Sequence, residues 1–414
     1  MTVVPMTFAT LFASCHRLLI PIFQRKYCWT NELIQGWWQD LLHSPAEMGV
    51  GHRTGKLIFY PETREVSTDS RDDGRSLLCV DGQQRLTTTM LLLAALRDAL
   101  WERAPAGKEE EVAELVDIIH DVLFVDSEAG AAALEDDALV EQLADGEDLP
   151  FVRLSPSYID RAPFFACLLS AGRAQAAERF RESVQHRAKA DFDANVAHVL
   201  HDRLSADQYV FHARRLLDRA LRHMTIMYVG VEARVDLPQL FLWMQEKALF
   251  SMGALLYNPR PGIRFHAVDF MRNLLLAAFV QQPAEEQARI YRDVWIHGLE
   301  RNCSSDEDFD SLLAQFLQAA PFAAFDLRPN AKQERHVSAF EQQMYSILGF
   351  ILHGDEEKYA SYEGVLLYAR FFSFYDEKMA ADADVRCRPE RVLEILDSLS
   401  LFFKQHASLT SQKG

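Results

Sequence analysis

The sequence predicts an α+β protein in which a small mixed β-sheet is joined to a large all-helical part. Three short runs of apolar and β-branched residues, 56–60, 76–80 and 224–231, are typical of buried strands. Over most of the remaining chain, apolar residues recur every three or four positions, which is the period of an amphipathic helix. We expect the third run to rejoin the sheet that contains the first two.

The positions of these runs predict how the chain is divided into domains. Residues 1–235 are predicted to form a first domain, which contains the sheet and a helical insertion at about residues 104–222. Residues 236–414 are predicted to form a second domain, with helices that include residues 340–352 and 362–374. A chain of 414 residues is long enough for two or three domains.

The elements at the two ends of the chain are predicted from the same patterns. Residues 1–19 have the apolar spacing of a helix, whereas residues 22–29 have the composition of an extended segment. The next helix is predicted to begin after Thr30 or Asn31, since either side chain can cap it. The last residues, 406–414, lose the helical pattern and are predicted to form a tail.

The composition excludes some classes of protein. With 49% hydrophobic and 25% charged residues, the chain is typical of a globular protein in solution. A net charge of −17 argues against a general nucleic-acid coat, because such binding requires neutralisation of phosphates, although a local basic groove remains compatible. The six cysteines form no C-x-x-C pair, and no apolar run approaches the roughly 20 residues of a spanning helix. We therefore expect a cytoplasmic protein with reduced thiols and no membrane partner.

Two stretches of the first domain carry unusual side chains without a clear site. Between Asp126 and Asp148 there are nine acidic residues and no Lys or Arg, which predicts a solvated helix–loop or a mobile insertion. His198 and His201 are spaced to share a helix face. Without a third ligand in the pattern, we interpret them as a surface pair rather than a metal site.

The most informative motif is Asp81-Gly82-Gln83-Gln84-Arg85, which lies between a predicted strand and a helix predicted to begin at Leu86. The positive end of a helix dipole and unpaired backbone N–H groups favour an anion at such a turn. The glycine allows a ligand close to the backbone, the arginine can form a fork on a phosphate, and the carboxylate can hold a metal or a water that the glutamines orient. The alternative is a polar turn in which Asp and Arg only pair and cap the helix.

A glycine-containing stretch, residues 49–55, precedes the predicted strand that begins at Lys56. It is not a dinucleotide-binding fingerprint, because that motif lies between a strand and a helix and has one residue fewer. The stretch can still form a loop beside a phosphate, with Lys56 as a point charge.

Three features, in this order along the chain, resemble one family. Residues 20–29 are similar to its opening pattern I-P-x-Y/F-Q-R-x-Y-x-W, Gly55 stands where a glycine before a strand is expected, and residues 80–88 match its Asp-Gly-Gln-Gln-Arg-Leu-Thr-Thr signature. The family is the ParB/sulfiredoxin-like nucleotidase domain of modification-dependent restriction proteins, the GmrS type. The chain also resembles the N-terminal part of phosphorothioate-sensing anti-phage effectors.

The resemblance implies hydrolysis of a nucleoside triphosphate, GTP or ATP, with a divalent ion such as Mg²⁺. It implies in addition that hydrolysis is coupled to recognition of modified double-stranded DNA, such as phosphorothioate DNA, and to a His-Asn-His nuclease. Carried over by position, the catalytic residues are Asp81, Gln83, Gln84 and Arg85, with Asp81 as the metal ligand. The implied nucleotide-binding residues are Gln24, Arg25, Lys56, Gly82, Asp269 and Asn273; the last two lie on a helix similar to the family's Asp-x-x-Arg/Lys-Asn helix.

The sequence departs from the family pattern in two places. The family's Phe-x-x-Leu-Asn-x-x-Gly element is present only in altered form around residues 241–262, which puts a nucleotide contact there in doubt. The sequence also contains no His-Asn-His constellation. We expect the nuclease to be a separate subunit or to have been cut from this chain, and the patternless end of the chain favours the second.

Two other functions remain open. In the first, the chain is a DNA-binding module whose Gln-Gln-Arg run contacts DNA without turnover. Tyr27 and Trp29 would then present an apolar wall to a base or a sulfur-substituted phosphate, beside the charges of Arg25 and Lys26; both aromatic residues are equally well explained as core. In the second, the chain is a helical scaffold that docks a partner subunit.

Overall fold

A computed structural model describes residues 2–44, 52–61, 76–170, 178–232, 235, 240, 266–280, 282–319, 342, 356–379 and 389–410. The chain divides into two compact units, Met1–Val235 and Asp236–Gly414. Within the described residues the first unit contains a mixed sheet surrounded by helices, and the second contains helices. The predicted α+β class is confirmed. None of the described helices has both the length and the apolar character needed to cross a membrane.

The sheet of the first unit has six strands in the described part of the chain, in the order β1-β6-β3-β4-β2-β5. The β1/β6 and β3/β4 pairs are antiparallel, and the other three pairs are parallel. The predicted return of the last strand to the sheet is confirmed, since it lies between the first and third strands. The strands are β1 (Thr2–Thr7), β2 (Leu18–Leu19), β3 (His52–Pro61), β4 (Leu77–Asp81), β5 (Leu154–Ser155) and β6 (Met224–Gly230).

The helices of this unit pack on the sheet and on one another. Their bounds are α1 (Phe8–Ser14), α2 (Asn31–His43), α3 (Gln83–Glu102), α4 (Glu109–Leu123), α5 (Ser127–Glu135), α6 (Asp137–Gln142), α7 (Arg161–Leu169), α8 (Val184–Val199) and α9 (Ala206–Asp218). Short 3₁₀ turns at Tyr158–Asp160 and Glu178–Phe180 and a π-helical turn at Arg219–His223 complete the set.

The prediction of a single helix over residues 1–19 is wrong. The first residues form β1, which pairs along its whole length with β6, and only Phe8–Ser14 are helical. The partner strand lies more than 200 residues away, so the local apolar spacing could not reveal the pairing. Thr7 ends the strand and caps α1, because its hydroxyl accepts a hydrogen bond from the N–H of Thr10 at 3.1 Å.

The extended segment predicted at residues 22–29 forms no strand. A turn closes where the N–H of Gln24 donates to the carbonyl of Pro21 at 3.0 Å, and residues 25–30 have no regular structure. Helix α2 then begins at Asn31 with Thr30 in the N-cap position, as predicted, although the Thr30 side chain makes no capping hydrogen bond. The backbone of residues 25–28 is held by side chains rather than by a β ladder.

Helix α3 is the central helix of the first unit. It begins at Gln83, three residues earlier than predicted, and most of its residues are buried on every side. It packs against α4, α7, α8 and α9. A helix that is buried all round lies inside a core, so the first turn of α3 is a rigid base for the residues that it carries.

The acidic stretch between Asp126 and Asp148 is folded, in agreement with the helix–loop alternative. Asp126 and Asp136 cap α5 and α6 through their carboxylates, and Gly130, Ala133 and Leu134 between them are buried. Asp148 forms an ion pair with Arg17 at 3.0 Å. Carboxylates at helix N-termini are favourable positions for negative charge, which accounts for part of this acidity.

The second unit consists of helices in the residues that the structure describes: α10 (Ala267–Leu276), α11 (Ala284–Arg289), α12 (Asp306–Ala319), α13 (Glu356–Met379) and α14 (Pro389–Thr410). The predicted helix at residues 362–374 is confirmed. The predicted tail is wrong in part, because α14 continues to Thr410. The helix predicted at residues 340–352, apart from Gln342, and the altered element at residues 241–262 lie outside the described residues.

Candidate functional site

The candidate site is the corner where β4 meets α3. Asp81 is the last residue of β4, and half of its side chain is exposed (51%). Gly82 follows in the left-handed conformation, with φ at 111°, and forms the N-cap of α3. A Cβ atom on Gly82 would collide with the side chain of Leu57 on the neighbouring β3. Only glycine fits this turn, and the turn places the carboxylate of Asp81 at the surface beside the start of a helix.

Arg85, in the first turn of α3, lies across a bulge in β3. Its Nη1 donates to the backbone carbonyl of Thr54 at 3.0 Å, and its Nη2 lies 3.8 Å from Oδ1 of Asp81. Gly55 adopts a φ of 105°, and a Cβ atom there would collide with Nη1 of Arg85. The register of β3 with β6 shifts at this point, between Arg53 and Lys56. Bulges of this kind often redirect side chains next to functional sites.

This arrangement fixes the position of the Arg85 guanidinium and leaves some of its N–H donors available. A guanidinium has five N–H donors, so after the bond to the Thr54 carbonyl donors remain for an anion. The Arg85 side chain is 20% exposed, and the contact with Asp81 is too long for a bidentate pair. The corner therefore presents a held cation beside an accessible carboxylate.

The two glutamines bind the backbone of the segment that contains Arg25 and Lys26. Nε2 of Gln83 donates to the carbonyl of Arg25, and Nε2 of Gln84 donates to the carbonyl of Lys26 at 3.1 Å. Oε1 of Gln84 accepts from the N–H of Cys28 at 3.0 Å. Both ends of the Gln84 amide are thus used by the segment. Sequence reasoning assigned these glutamines to a water, and the structure adds a positioning role.

Gln24 adds a further hydrogen bond between this segment and the corner of β4 and α3. Its side chain is buried, and Nε2 donates to the carbonyl of Val80 at 2.5 Å. Three amide side chains therefore join residues 24–28 to the end of β4 and the start of α3. The segment carries two exposed cationic residues, Arg25 and Lys26, and these are brought to the corner that holds Arg85.

The predicted aromatic wall is not present at Tyr27. Its side chain is only 2% exposed, and its hydroxyl is hydrogen-bonded to Oγ1 of Thr88 at 2.7 Å. Burial raises the pKa of the Tyr27 phenol. Trp29 is half-buried and packs edge-on against Trp37, with ring centroids 5.4 Å apart. Tyr27 is therefore a core residue, which agrees with the core interpretation of the sequence and not with a ring that faces a ligand.

The remaining predicted residues fall in two places. Lys56 is exposed on β3, next to Gly55. Asp269 and Asn273 lie on α10, in the second unit, where Asp269 accepts from Nη1 of the buried Arg272 at 2.9 Å. Oδ1 of Asn273 is buried, and none of the described residues forms a hydrogen bond with it. In the second unit Asp269 therefore has a structural partner, and its contact with a nucleotide remains a prediction.

The sequence matches the GmrSD restriction endonuclease, N-terminal domain, over residues 8–220, which is more than half of the chain. The chain belongs to this family. A comparison with curated proteins found no match. Membership places the chain in a restriction system, and so connects it with DNA and with nuclease activity.

The GmrSD match covers most of the first unit. It includes the sheet corner, and it also runs through the helical stretch from α4 to α9. That stretch is therefore part of the family's domain. The resemblance noted around Asp269 lies beyond the matched residues.

The GmrSD corner can contribute one carboxylate to a metal ion. In the described parts of the chain, no group of three or more His, Cys, Asp or Glu residues is arranged to hold a metal. Magnesium is commonly bound through one or two carboxylates together with the phosphates of a substrate. Asp81, half exposed and loosely paired, fits that mode of binding, whereas a site made of protein ligands alone does not fit here.

Sequence reasoning missed two groups in this GmrSD domain. The first is the carbonyl of Thr54, which orients Arg85 and which has no sequence signal because any residue supplies a carbonyl. The second is Asp160, whose carboxylate accepts a hydrogen bond from the backbone of Tyr27. Asp160 lies in the 3₁₀ turn before α7, far along the sequence from the motif, and a single aspartate there has no distinctive pattern.

Proposed function

We propose that this chain is the nucleoside-triphosphate-hydrolysing sensor domain of a restriction effector, acting on GTP or ATP. In this proposal it recognises phosphorothioate-modified double-stranded DNA and controls a linked nuclease. The observation that carries the hydrolytic part is the corner itself, where a guanidinium fixed by a backbone carbonyl stands beside an exposed carboxylate at a helix N-terminus. Membership of the GmrSD family supports the restriction context.

The residues at the corner suit phosphoryl transfer, which depends on positioning and charge compensation. Arg85 binds phosphate oxygens with the donors that remain on its guanidinium, and Arg25 supplies a second cationic side chain. The N-terminus of α3 adds unpaired N–H groups and the positive end of its dipole. Arg85 and the helix N-terminus stabilise the negative charge that develops on the transferred phosphoryl group, whereas Arg25 contributes to binding of the triphosphate.

Asp81 is the residue that acts on the nucleophile. Its carboxylate can accept a hydrogen bond from an O–H of a water molecule. This bond would orient the water oxygen toward the terminal phosphate. Mg²⁺ bound with the nucleotide would supply further charge compensation, and Asp81 is the side chain that would hold it. Gln83 and Gln84 keep the Arg25 segment against this corner.

An Asp81→Asn variant tests the hydrolytic proposal. The substitution preserves shape and removes the charge from a side chain that is half exposed, so the fold is expected to be unaffected. Phosphate release from GTP or ATP is expected to fall by about a hundredfold, as for the loss of one transition-state charge contact. A matched control is Asp202→Asn, which alters an exposed carboxylate bound to Arg103 at the other end of α3. Equal turnover by the two variants would exclude the role of Asp81.

Recognition of modified DNA is supported by the exposed charges of Arg25 and Lys26 beside the half-buried ring of Trp29. Sulfur in place of a phosphate oxygen is more polarisable and a weaker hydrogen-bond acceptor, so a cation next to an apolar surface favours it. The prediction is a gel shift at lower protein concentration for a phosphorothioate duplex than for an unmodified duplex of the same sequence. Identical shifts would remove the sensing proposal and leave nucleotide hydrolysis in place.

One observation favours a second function, DNA binding without turnover. The corner and the adjacent part of β3 carry exposed Arg53 and Lys56 in addition to Arg25 and Lys26. Phosphate contacts of this kind supply sequence-independent affinity for nucleic acid. DNA retention that does not change with nucleotide, together with the absence of phosphate release, would select this function.

A further inference from the structure

Asp160 is a buried carboxylate that binds the backbone of residues 24–28 at the candidate site, in addition to the glutamines. It is 6% exposed, and its Oδ2 accepts hydrogen bonds from the N–H of Tyr27 at 2.8 Å and from the hydroxyl of Ser157 at 2.5 Å. Its Oδ1 accepts from Nε2 of Gln185 at 2.6 Å. Both oxygens therefore have donors of fixed geometry.

The position of the Tyr27 N–H explains why this bond matters. It lies between the carbonyl of Lys26 and the N–H of Cys28, which are the two groups bound by the amide of Gln84. Residues 25–28 have no ladder of their own, and four of their backbone groups are bound by the side chains of Gln83, Gln84 and Asp160. Gln84 holds the segment on the α3 side, and Asp160 holds it on the side of the helices that follow.

We propose that Asp160 is a positioning residue for the candidate site, because it fixes the backbone from which the side chains of Arg25 and Lys26 project. This inference rests on the proposed function for its ligand, a nucleoside triphosphate. Gln185 at the start of α8 orients Asp160, so the helical part of the GmrSD domain helps to build the binding segment. A hydrogen bond to a carboxylate is stronger than one to a neutral acceptor, which suits a group that must restrain an irregular segment.

The experiment compares four variants of the full chain, Asp160→Ala, Asp160→Asn, Gln185→Ala and Asp148→Ala. The asparagine variant retains an oxygen for the N–H of Tyr27, and its amide nitrogen can donate to Gln185 once the amide of Gln185 turns over. Asp148 serves as the control, since it is a partly buried carboxylate of the same unit that binds Arg17 and Ser155 instead of the segment.

Two readouts are measured on each variant. The first is hydrogen exchange of residues 23–29, with residues 109–123 of α4 as an internal reference. The second is the KM and kcat for GTP and ATP, which separates binding from chemistry. For Asp160→Ala we expect faster exchange in residues 23–29 alone and a KM raised about tenfold with kcat within about twofold, as for the loss of one contact to an anion.

In Asp160→Asn, the exchange rate of residues 23–29 and the KM should both lie within about twofold of the wild-type values. Asp148→Ala should change neither quantity. Unchanged exchange in residues 23–29 of Asp160→Ala would overturn the inference, as would an equal increase in exchange in α4. Should Asp160→Ala fail to fold, Gln185→Ala decides: faster exchange in residues 23–29 with a raised KM supports the inference, and wild-type values refute it. Absence of nucleotide turnover in the wild type would refute the proposed function, while the exchange measurement would still decide whether Asp160 restrains the segment.

Discussion

At the scale of single residues, the position of the Arg85 guanidinium depends on Gly55. The guanidinium crosses the backbone of β3 at Gly55, where no Cβ stands in its way, and reaches the carbonyl of Thr54. A side chain at position 55 would displace the guanidinium, and it would also strain a backbone whose φ is 105°. The two effects are separable, because a second glycine of this unit has the strain without the contact.

Replacing Gly55 by Ala is therefore predicted to weaken nucleotide binding beyond its effect on stability. We expect a stability loss of about 1–2 kcal/mol from the backbone strain and at least about a tenfold rise in Kd for a non-hydrolysable nucleotide. Gly107→Ala is the matched control, since Gly107 also has a positive φ, 79°, and open space around its Cα. Equal Kd values for the two variants would show that Arg85 does not bind the nucleotide.

At the scale of elements, the sequence predicts the strands and helices that have a local apolar pattern. It does not predict segments whose conformation depends on residues far away along the chain. The strands β3, β4 and β6 follow from short runs of apolar and β-branched residues, and the helices α2 and α3 follow from longer apolar stretches with helical spacing. β1 was missed because it is a short edge strand completed only by β6, and residues 22–29 have an extended composition but are fixed by Gln24, Gln83, Gln84 and Asp160. Partners of that kind are set by tertiary structure, so the positions of Asp81 and Arg85 were predictable whereas the use of both glutamine amides was not.

Helix α4 contains a histidine that makes the fold sensitive to acid. His120 is buried between the rings of Trp101 and Phe124, with centroids 5.3 and 5.6 Å away, and its Nε2 has no hydrogen-bond partner in the part of the chain that the structure describes. Burial, and secondarily the charge of Arg97, lowers its pKa to about 4. The unfolded chain takes up this proton near the ordinary pKa of about 6.5. Stability is therefore lost as the pH falls from about 6.5 to about 4.

His120→Phe is predicted to remove this part of the acid sensitivity while keeping a ring in the same place. Of the stability that the wild type loses between pH 7 and pH 4.5, about 2–3 kcal/mol is expected to be absent from the variant. The free energy of unfolding in urea at the two pH values provides the measurement. His198→Gln, at an exposed position on α8, is the control and should keep the wild-type difference. If His120→Phe lost as much unfolding free energy between pH 7 and pH 4.5 as the wild type, His120 would not be the source of this acid sensitivity.

At the scale of the whole molecule, the candidate corner and the segment that faces it belong entirely to the first unit, Met1–Val235. The GmrSD match ends at residue 220, within that unit. Asp269 and Asn273, which the resemblance assigned to the nucleotide, belong to the second unit. We therefore propose that hydrolysis takes place in the first unit.

The most direct test of this account is phosphate release from GTP and ATP by the full chain, with Mg²⁺, in the presence and absence of phosphorothioate DNA. Arg85→Ala is compared with Arg103→Ala, since both arginines stand at ends of α3 and each binds one carboxylate and one carbonyl. We predict turnover by the wild type and by Arg103→Ala, and a rate at least about a hundredfold lower for Arg85→Ala. Wild-type turnover in Arg85→Ala, or no turnover in the wild type under any of these conditions, would contradict the claim that this corner hydrolyses a nucleoside triphosphate.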